Sequence, residues 1–494
     1  MQHLPHDVWL HIAQFIPPVT LQYMLSVNST FFDIAMDCRY RQMSFAFLDN
    51  RMLRNLIRLK DPVVAKRVRV LHVYPGFLKQ VLDSDNGKEL AHVRRSLRLR
   101  LAELANHLLE QKMFVKHNKY RMVQTFRTAR DVVKVMLDVF TSLPNVTDYH
   151  IMWCGLQAVP ESPVPFLAAV FHANLRKLSL EISLENVESL FSPNSSIPHL
   201  EELDLTLRID HFRVASPGHN LILINHLAPA ITRLRSSLRK LSIQSWEPLD
   251  LSPLFRAIRH LPHLHHLTLA IPADSPHLGD PSGLTDLLRR QRASLRSLSL
   301  RATQYSGAGL TPDPTSIDAW MREALADVHL PYLRELDISS SLFPLRTSMY
   351  CLRKFAETIT SLVLTGCYLR YPDVATILRE WTYRPLQSLR LGSVTLTPKL
   401  VDLLAKTLPD LYRLELLVRE VVPSVSGHLV ETGRKAYVES EIDDFFCEME
   451  AHIYPHWKLR HMAILLTSFP YRFQYGTHLQ RLFAHCVPSI QGFT

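Results

Sequence analysis

Leu295-Arg296-Ser297-Leu298-Ser299-Leu300 is the stretch on which the reading of this chain turns. It has apolar residues at hexad positions 1, 4 and 6, with polar residues between them. The same L-x-x-L-x-L spacing precedes it at Leu175-Leu178-Leu180, Leu200-Leu203-Leu205, Leu238-Leu241-Ile243 and Leu264-Leu267-Leu269. It follows at Leu333-Leu336-Ile338, Ile359-Leu362-Leu364, Leu386-Leu389-Leu391 and Leu411-Leu414-Leu416. Weaker copies stand at Val68-Leu71-Val73, Val146-Tyr149-Ile151 and Leu459-Met462-Ile464. From 146 to 459 the successive steps are 29, 25, 38, 26, 31, 38, 26, 27, 25 and 48 residues, so six of them fall in the range 25–29. The two steps of 38 contain turn chemistry, Ser216-Pro217-Gly218 in one and Gly307, Gly309, Pro312 and Pro314 in the other.

A single hexad in a leucine-rich chain carries little weight. Nine in order at a near-constant period point to an α/β fold, a leucine-rich-repeat solenoid (horseshoe). A short strand buries its apolar side chains on one face, one repeat cannot cover them, and stacked neighbours do. Between hexads lie apolar residues at helical spacing, such as Ile224-Leu227-Ile231-Leu234 and Val374-Ile377-Leu378-Trp381, which would form the opposite layer. At the far end Leu479, Leu482 and Phe483 are placed to close the last repeat.

Composition narrows the function classes. The 494 residues are 47% hydrophobic and 21% charged, which excludes a wholly disordered chain. Glycine is scarce, 14 residues, and no glycine-rich phosphate loop, HExxH or GxSxG motif is present. No catalytic site, cofactor or metal ligand set is therefore expected. The histidines 260, 263, 265 and 266 lack a carboxylate or thiol at ligand spacing. No bilayer-spanning run and no secretory signal are read, so no membrane partner is expected. Six scattered cysteines without CxxC suit reduced thiols and a cytoplasmic or nuclear location. The net charge of +10 is concentrated between Arg94 and Lys134, on a segment whose leucines suggest helices. Few aromatics interleave there and no groove-reading motif appears, which argues against nucleic acid.

Residues 4–45 read differently. Leu4-Pro5 opens a helix whose apolar face is Val8, Ile12, Phe15 and Ile16, and Pro17-Pro18 stops it. A second short helix carries Leu21 and Leu25, and Asn28 is placed to cap a third. Three short helices make a poor core by themselves and need a partner or the rest of the chain.

This stretch, LPHDVWLHIAQFIPPVTLQYMLSVNSTFFDIAMDCRYRQMSF, resembles an F-box of the fungal type, in which a repeat region often follows. It departs from many F-boxes in having Asn28 and Phe31 where Cys and Trp stand. The resemblance implies docking on the Skp adaptor, and through it a cullin, with contacts at Leu4, Pro5, Val8, Ile12, Ile16, Leu21 and Val27. It also implies a substrate-recognition subunit of an SCF-type cullin–RING ubiquitin ligase, the repeats holding a protein target. The alternative is a non-ligase leucine-rich-repeat scaffold whose N-terminal helices only cap the solenoid.

The expected organisation is therefore an F-box-like module over 1–45, a basic helical connector and N-terminal cap over 46–140, and the repeat domain with its C-terminal cap over 141–494. Hexad positions 3 and 5 alternate away from the core. That places Glu202, Asp204, Lys240, His266, Glu335, Asp337, Arg390 and Arg413 on the face expected to meet a target. Trp153 and Trp246 lie just past their hexads and are expected at its rim, either as binding hot spots, in which exposed tryptophan is enriched, or as cover for the edge of the core.

Overall fold

A computed structural model describes residues 5–24, 27–47, 49–74, 76, 129–153, 174–190, 197–209, 217–247, 249–273, 278–303, 313–339, 342–381, 384, 386–424, 439–467 and 475–493. The chain divides into two compact units, Met1–Leu241 and Ser242–Thr494.

The first unit opens with helices α1 (His6–Gln14), α2 (Pro18–Tyr23) and α3 (Ser29–Tyr40). Pro18 occupies the first turn of α2, where no N–H is needed. Asn28 caps α3, its side-chain oxygen accepting from the Phe31 N–H at 2.8 Å. Strand β1 (Gln42–Phe45) follows at once, then helix α4 (Asn50–Arg58) and β2 (Val70–Val73). Next come β3 (Asp148–Trp153), β4 (Lys177–Ser183) and β5 (Glu202–Arg208), each pairing in parallel with the one before it.

The sheet therefore begins at Gln42, inside the span assigned to the helical module, and continues through β2 in the span assigned to the connector. The repeat domain was expected from 141, with a cap of the solenoid before it, and two strands of the sheet already stand in those earlier spans. A four-residue strand that buries Met43 and Phe45 meets the physical requirement without the leucine hexad. The helix Ala129–Thr141 carries the last basic positions of the connector, and residues 94–128 lie outside the described residues.

Strand β6 (Lys240–Ser245) straddles the division. The second unit holds β7 (His266–Pro272), β8 (Ser297–Thr303), β9 (Glu335–Asp337), β10 (Ser361–Leu364), β11 (Ser388–Leu396), β12 (Arg413–Val421), β13 (His461–Leu466) and β14 (Gly492–Phe493). They too pair in parallel and in chain order. Register aligns the hexads, with Leu298 beside Leu336 and Leu362 beside Leu389. These leucines are wholly buried, and each such burial contributes about 1.5–3 kcal/mol. Between successive strands of this unit the chain crosses back through a helix, as parallel pairing requires. Three of these helices start alike: Asp280-Pro281, Asp313-Pro314 and Thr397-Pro398. In each the acid or hydroxyl caps and proline takes the first turn. The Asp280 carboxylate, for example, accepts from the Ser282 N–H at 2.8 Å. Neighbouring helices pack side by side, from Ser252–Ala257 through Pro281–Gln291 and Pro314–Leu325 to Leu345–Phe355. At the end of the unit Leu479, Leu482 and Phe483 are buried.

Strand β11 contains a register shift between Leu391 and Val394. Ser393 there has φ of 48°, in the left-handed region, and its carbonyl accepts from the Leu369 N–H at 3.1 Å. A Cβ costs energy in that conformation. Ser393→Gly is expected to raise the urea midpoint, by about 0.5–1 kcal/mol of stability. An unchanged or lower midpoint would show that the serine side chain stabilises the bulge by more than its backbone strain costs.

Candidate interaction surfaces

The N-terminal helices build a small core from Ala13, Leu21, Phe31 and Ile34, against which Trp9, Ile16 and Met24 pack. Trp9 meets Phe31 edge to face, with ring centroids 5.1 Å apart. Arg67, which precedes β2, pairs with Asp33 at 2.8 Å and Asp37 at 2.5 Å and so ties α3 to the first strands. The Arg67 guanidinium is held above its usual pKa by those carboxylates, against the opposing effect of burial.

Several apolar side chains of this module stay exposed among the described residues. Val8 and Ile12 on α1 are exposed, as are Val19 on α2 and Val27 beyond it. Phe15 is 77% exposed and Tyr23 81%. Pro5 is also exposed. Of the residues expected to meet an adaptor, Pro5, Val8, Ile12 and Val27 lie at the surface, and Ile16 is half-buried against the module core. Leu21 is a correction: at 3% exposure it belongs to that core, because the short helix α2 turns it toward Phe31 and Ile34. Leu4 lies outside the described residues. Tyr23 and Val19 are exposed apolar residues that sequence reading missed. Their signal was three apolar residues, Val19, Leu21 and Tyr23, on a six-residue helix too short to bury all of them.

The second surface is the sheet face away from the helices. In the first unit, register sets Asp148, Lys177 and Glu202 in one row and His72, His150, Ser179 and Asp204 in the next. Glu202 bridges Lys177 at 3.5 Å and Lys240 at 3.8 Å. Asp204 accepts from the Ser179 hydroxyl at 3.5 Å. In the second unit Asp337 accepts from Ser299 at 2.9 Å and pairs with Arg301 at 2.8 Å, and Arg390 pairs with Glu415 at 3.1 Å. His266 and Arg413 are exposed at the starts of β7 and β12, and Glu335 is half-buried on β9. Within each unit the face presents alternating charges already paired across strands.

The two tryptophans part company. Trp153 is 2% exposed, which rules out its reading as an exposed hot spot and fits the other, cover for the core. Strand β3 runs two residues past the hexad, and strict alternation after Tyr149 and Ile151 turns Trp153 to the core side. Trp246 follows the end of β6, falls on the opposite parity, and is 45% exposed.

His72 and His150 stack on adjacent strands, with ring centroids 4.5 Å apart. Burial lowers the pKa of His72, opposed by Asp148. Burial lowers that of His150 too, joined by His72 and Lys177 and opposed by Asp148 and Asp204. A histidine whose folded pKa lies below its unfolded value binds fewer protons when folded. Its stability contribution is intact above the unfolded pKa and is lost as pH falls toward the folded one. The melting temperature is therefore expected to drop between about pH 7 and pH 5, and less steeply in His72→Gln. Equal slopes in wild type and variant would sink that assignment.

Among the described residues no cluster of three His, Cys, Asp or Glu side chains is placed to hold a metal ion. The buried Cys351 thiol is pushed up to about 12 and the Cys486 thiol to about 11, mainly by burial, so both stay protonated at neutral pH. Among the described residues no helix is long and apolar enough to cross a membrane.

No protein-family model and no curated protein matches the sequence. Among solved structures the chain is similar to an internalin from Listeria monocytogenes, at 13% identity. The match covers 72% of this chain and 81% of that one, with a TM-score of 0.26. At that score the likeness carries no argument, and the repeat architecture stands on the hexads and their registers.

Proposed function

We propose that this chain is a two-ended protein-binding subunit. Its N-terminal module docks on a Skp-type adaptor of an SCF-type cullin–RING ubiquitin ligase, and its repeats hold a protein target. The observation that carries this reading is the exposure of Val8, Ile12, Phe15, Val19, Tyr23 and Val27 on a module whose own core lies elsewhere. Six exposed apolar side chains on α1, α2 and the turns that follow them suit a docking face, since leaving them in water gains the chain nothing. The F-box resemblance names the adaptor that such a face suits.

The chain would do no covalent chemistry. Holding adaptor and target on one molecule raises the effective concentration of the target's lysines near the ubiquitin-loaded enzyme. The ion pairs from Arg67 to Asp33 and Asp37 fix the module to the first strands, which favours a defined geometry at that end. Target contacts are proposed at Trp246, His266, Arg413 and the paired charges Glu202, Asp204, Lys240, Glu335, Asp337 and Arg390. The test is co-expression with a Skp-type adaptor followed by size-exclusion chromatography. A one-to-one complex supports the reading. A well-folded chain that elutes alone overturns it and leaves a repeat scaffold.

A further inference from the structure

A cleft of about 810 Å³ lies in the first unit between β1, the last turn of α3 and α4. One wall is the outer edge of β1. The Arg41 carbonyl accepts from the Val70 N–H at 2.9 Å, and the Phe45 carbonyl from the Tyr74 N–H at 2.9 Å. Those bonds turn residues 41, 43 and 45 toward β2. Alternation then points the N–H and C=O of Gln42 and Ser44 to the other edge, where no strand pairs among the described residues. The lining also includes Arg39, Arg51, Arg54 and Arg58. Three of them form one stripe along α4, at i, i+3 and i+7. Arg58 is oriented by donating to the Tyr40 hydroxyl at 3.3 Å, and the Arg39 guanidinium lies 5.7 Å from the centre of the Tyr40 ring. The one carboxylate in the lining, Asp49, is engaged in capping α4, accepting from the Met52 N–H at 2.7 Å.

We infer that this cleft binds an acidic peptide segment in extended form, added as a strand along β1 with its carboxylates toward the arginines. A bare strand edge supplies the row of backbone donors and acceptors that only another extended backbone matches. The surrounding charge selects for acid. Arginines beside an edge strand also serve to keep strands from pairing, but that device sets charge on the strand itself. Here β1 is Gln42-Met43-Ser44-Phe45, without charge, and the arginines that line the cleft belong to α3 and α4. The occupant is thus admitted by backbone and selected by charge. This does not rest on adaptor docking, and the assay contains no adaptor.

The test is fluorescence anisotropy of the full chain with a fluorescein-labelled hexapeptide of alternating glutamate and valine. Its comparison is the same peptide N-methylated at alternate backbone nitrogens, equal in charge but unable to pair. The expected result is saturable binding that weakens about tenfold on N-methylation and about tenfold in Arg51→Glu. Arg51 is exposed in the first turn of α4, where an acid suits the helix, and the melting temperature confirms that the variant is folded. Equal binding of both peptides would show a merely basic surface and overturn the proposal. So would no binding at millimolar peptide, or an RNA oligonucleotide that displaces the peptide at lower concentration.

Discussion

A chain carrying Val8→Asp and Ile12→Asp is expected to keep its melting temperature within about 2 °C of wild type and to lose the proposed complex with a Skp-type adaptor. The two parts of that result follow from where the residues sit. Neither side chain belongs to the module core, which is Ala13, Leu21, Phe31 and Ile34, and both are exposed on α1. Placing a carboxylate in water at such sites changes folding by a few tenths of a kcal/mol. At a docking face the same carboxylates are buried without a partner. At about 2 kcal/mol each, the pair weakens binding by roughly a thousandfold. Phe31→Asp is the contrast: it puts a charge in the module core and lowers the melting temperature whether or not an adaptor is present. If the double variant still co-elutes with the adaptor, the face named here is not the one that docks. If it unfolds, the helices are a cap for the first strands.

Gly392→Ala is expected to cost about 2–4 kcal/mol, seen as a fall of roughly 4–8 °C in the melting temperature of the second unit. Gly392 lies in the irregular stretch of β11, where the strand passes close to the residue that follows β10. A methyl group there would stand 2.6 Å from the Thr365 carbonyl oxygen and closer still to its Cα, both of them backbone. Backbone held in a parallel sheet cannot move aside as the tip of a side chain does. Gly476→Ala is the control, since a Cβ at that position meets nothing within 4 Å. It also follows Tyr475 at the start of a helix, so its effect should be near zero or slightly favourable. A melting temperature of Gly392→Ala equal to that of this control would show that β10 and β11 are not packed as closely as described.

Much of the repeat region was legible in the chain because its physics is local. Each hexad writes its own alternation, and each helix start writes its own cap, as Asp280-Pro281 and Asp313-Pro314 do. The capping of α3 by Asn28 was likewise readable from three residues. The beginning of the sheet was not, since β1 buries only Met43 and Phe45 and borrows its definition from pairing with β2. Which way Trp153 faces was not legible for a related reason. Its direction depends on how far β3 extends beyond the hexad, and strand length is set by the neighbouring β4, which pairs with it as far as Trp153.

The sequence by itself determined the strand-and-helix alternation, the buried leucines and the separate character of the first forty residues, because those depend on spacing along one chain. Only the tertiary structure decided which apolar residues of the N-terminal helices remain in water. It placed Leu21 inside and Tyr23 outside although both sit on one short helix, since burial depends on what packs against each side. It alone brought the arginines of α3 and α4 into one cleft with an edge of β1 that no strand pairs among the described residues, since spacing writes the arginine stripe on α4 but not what lies beside it.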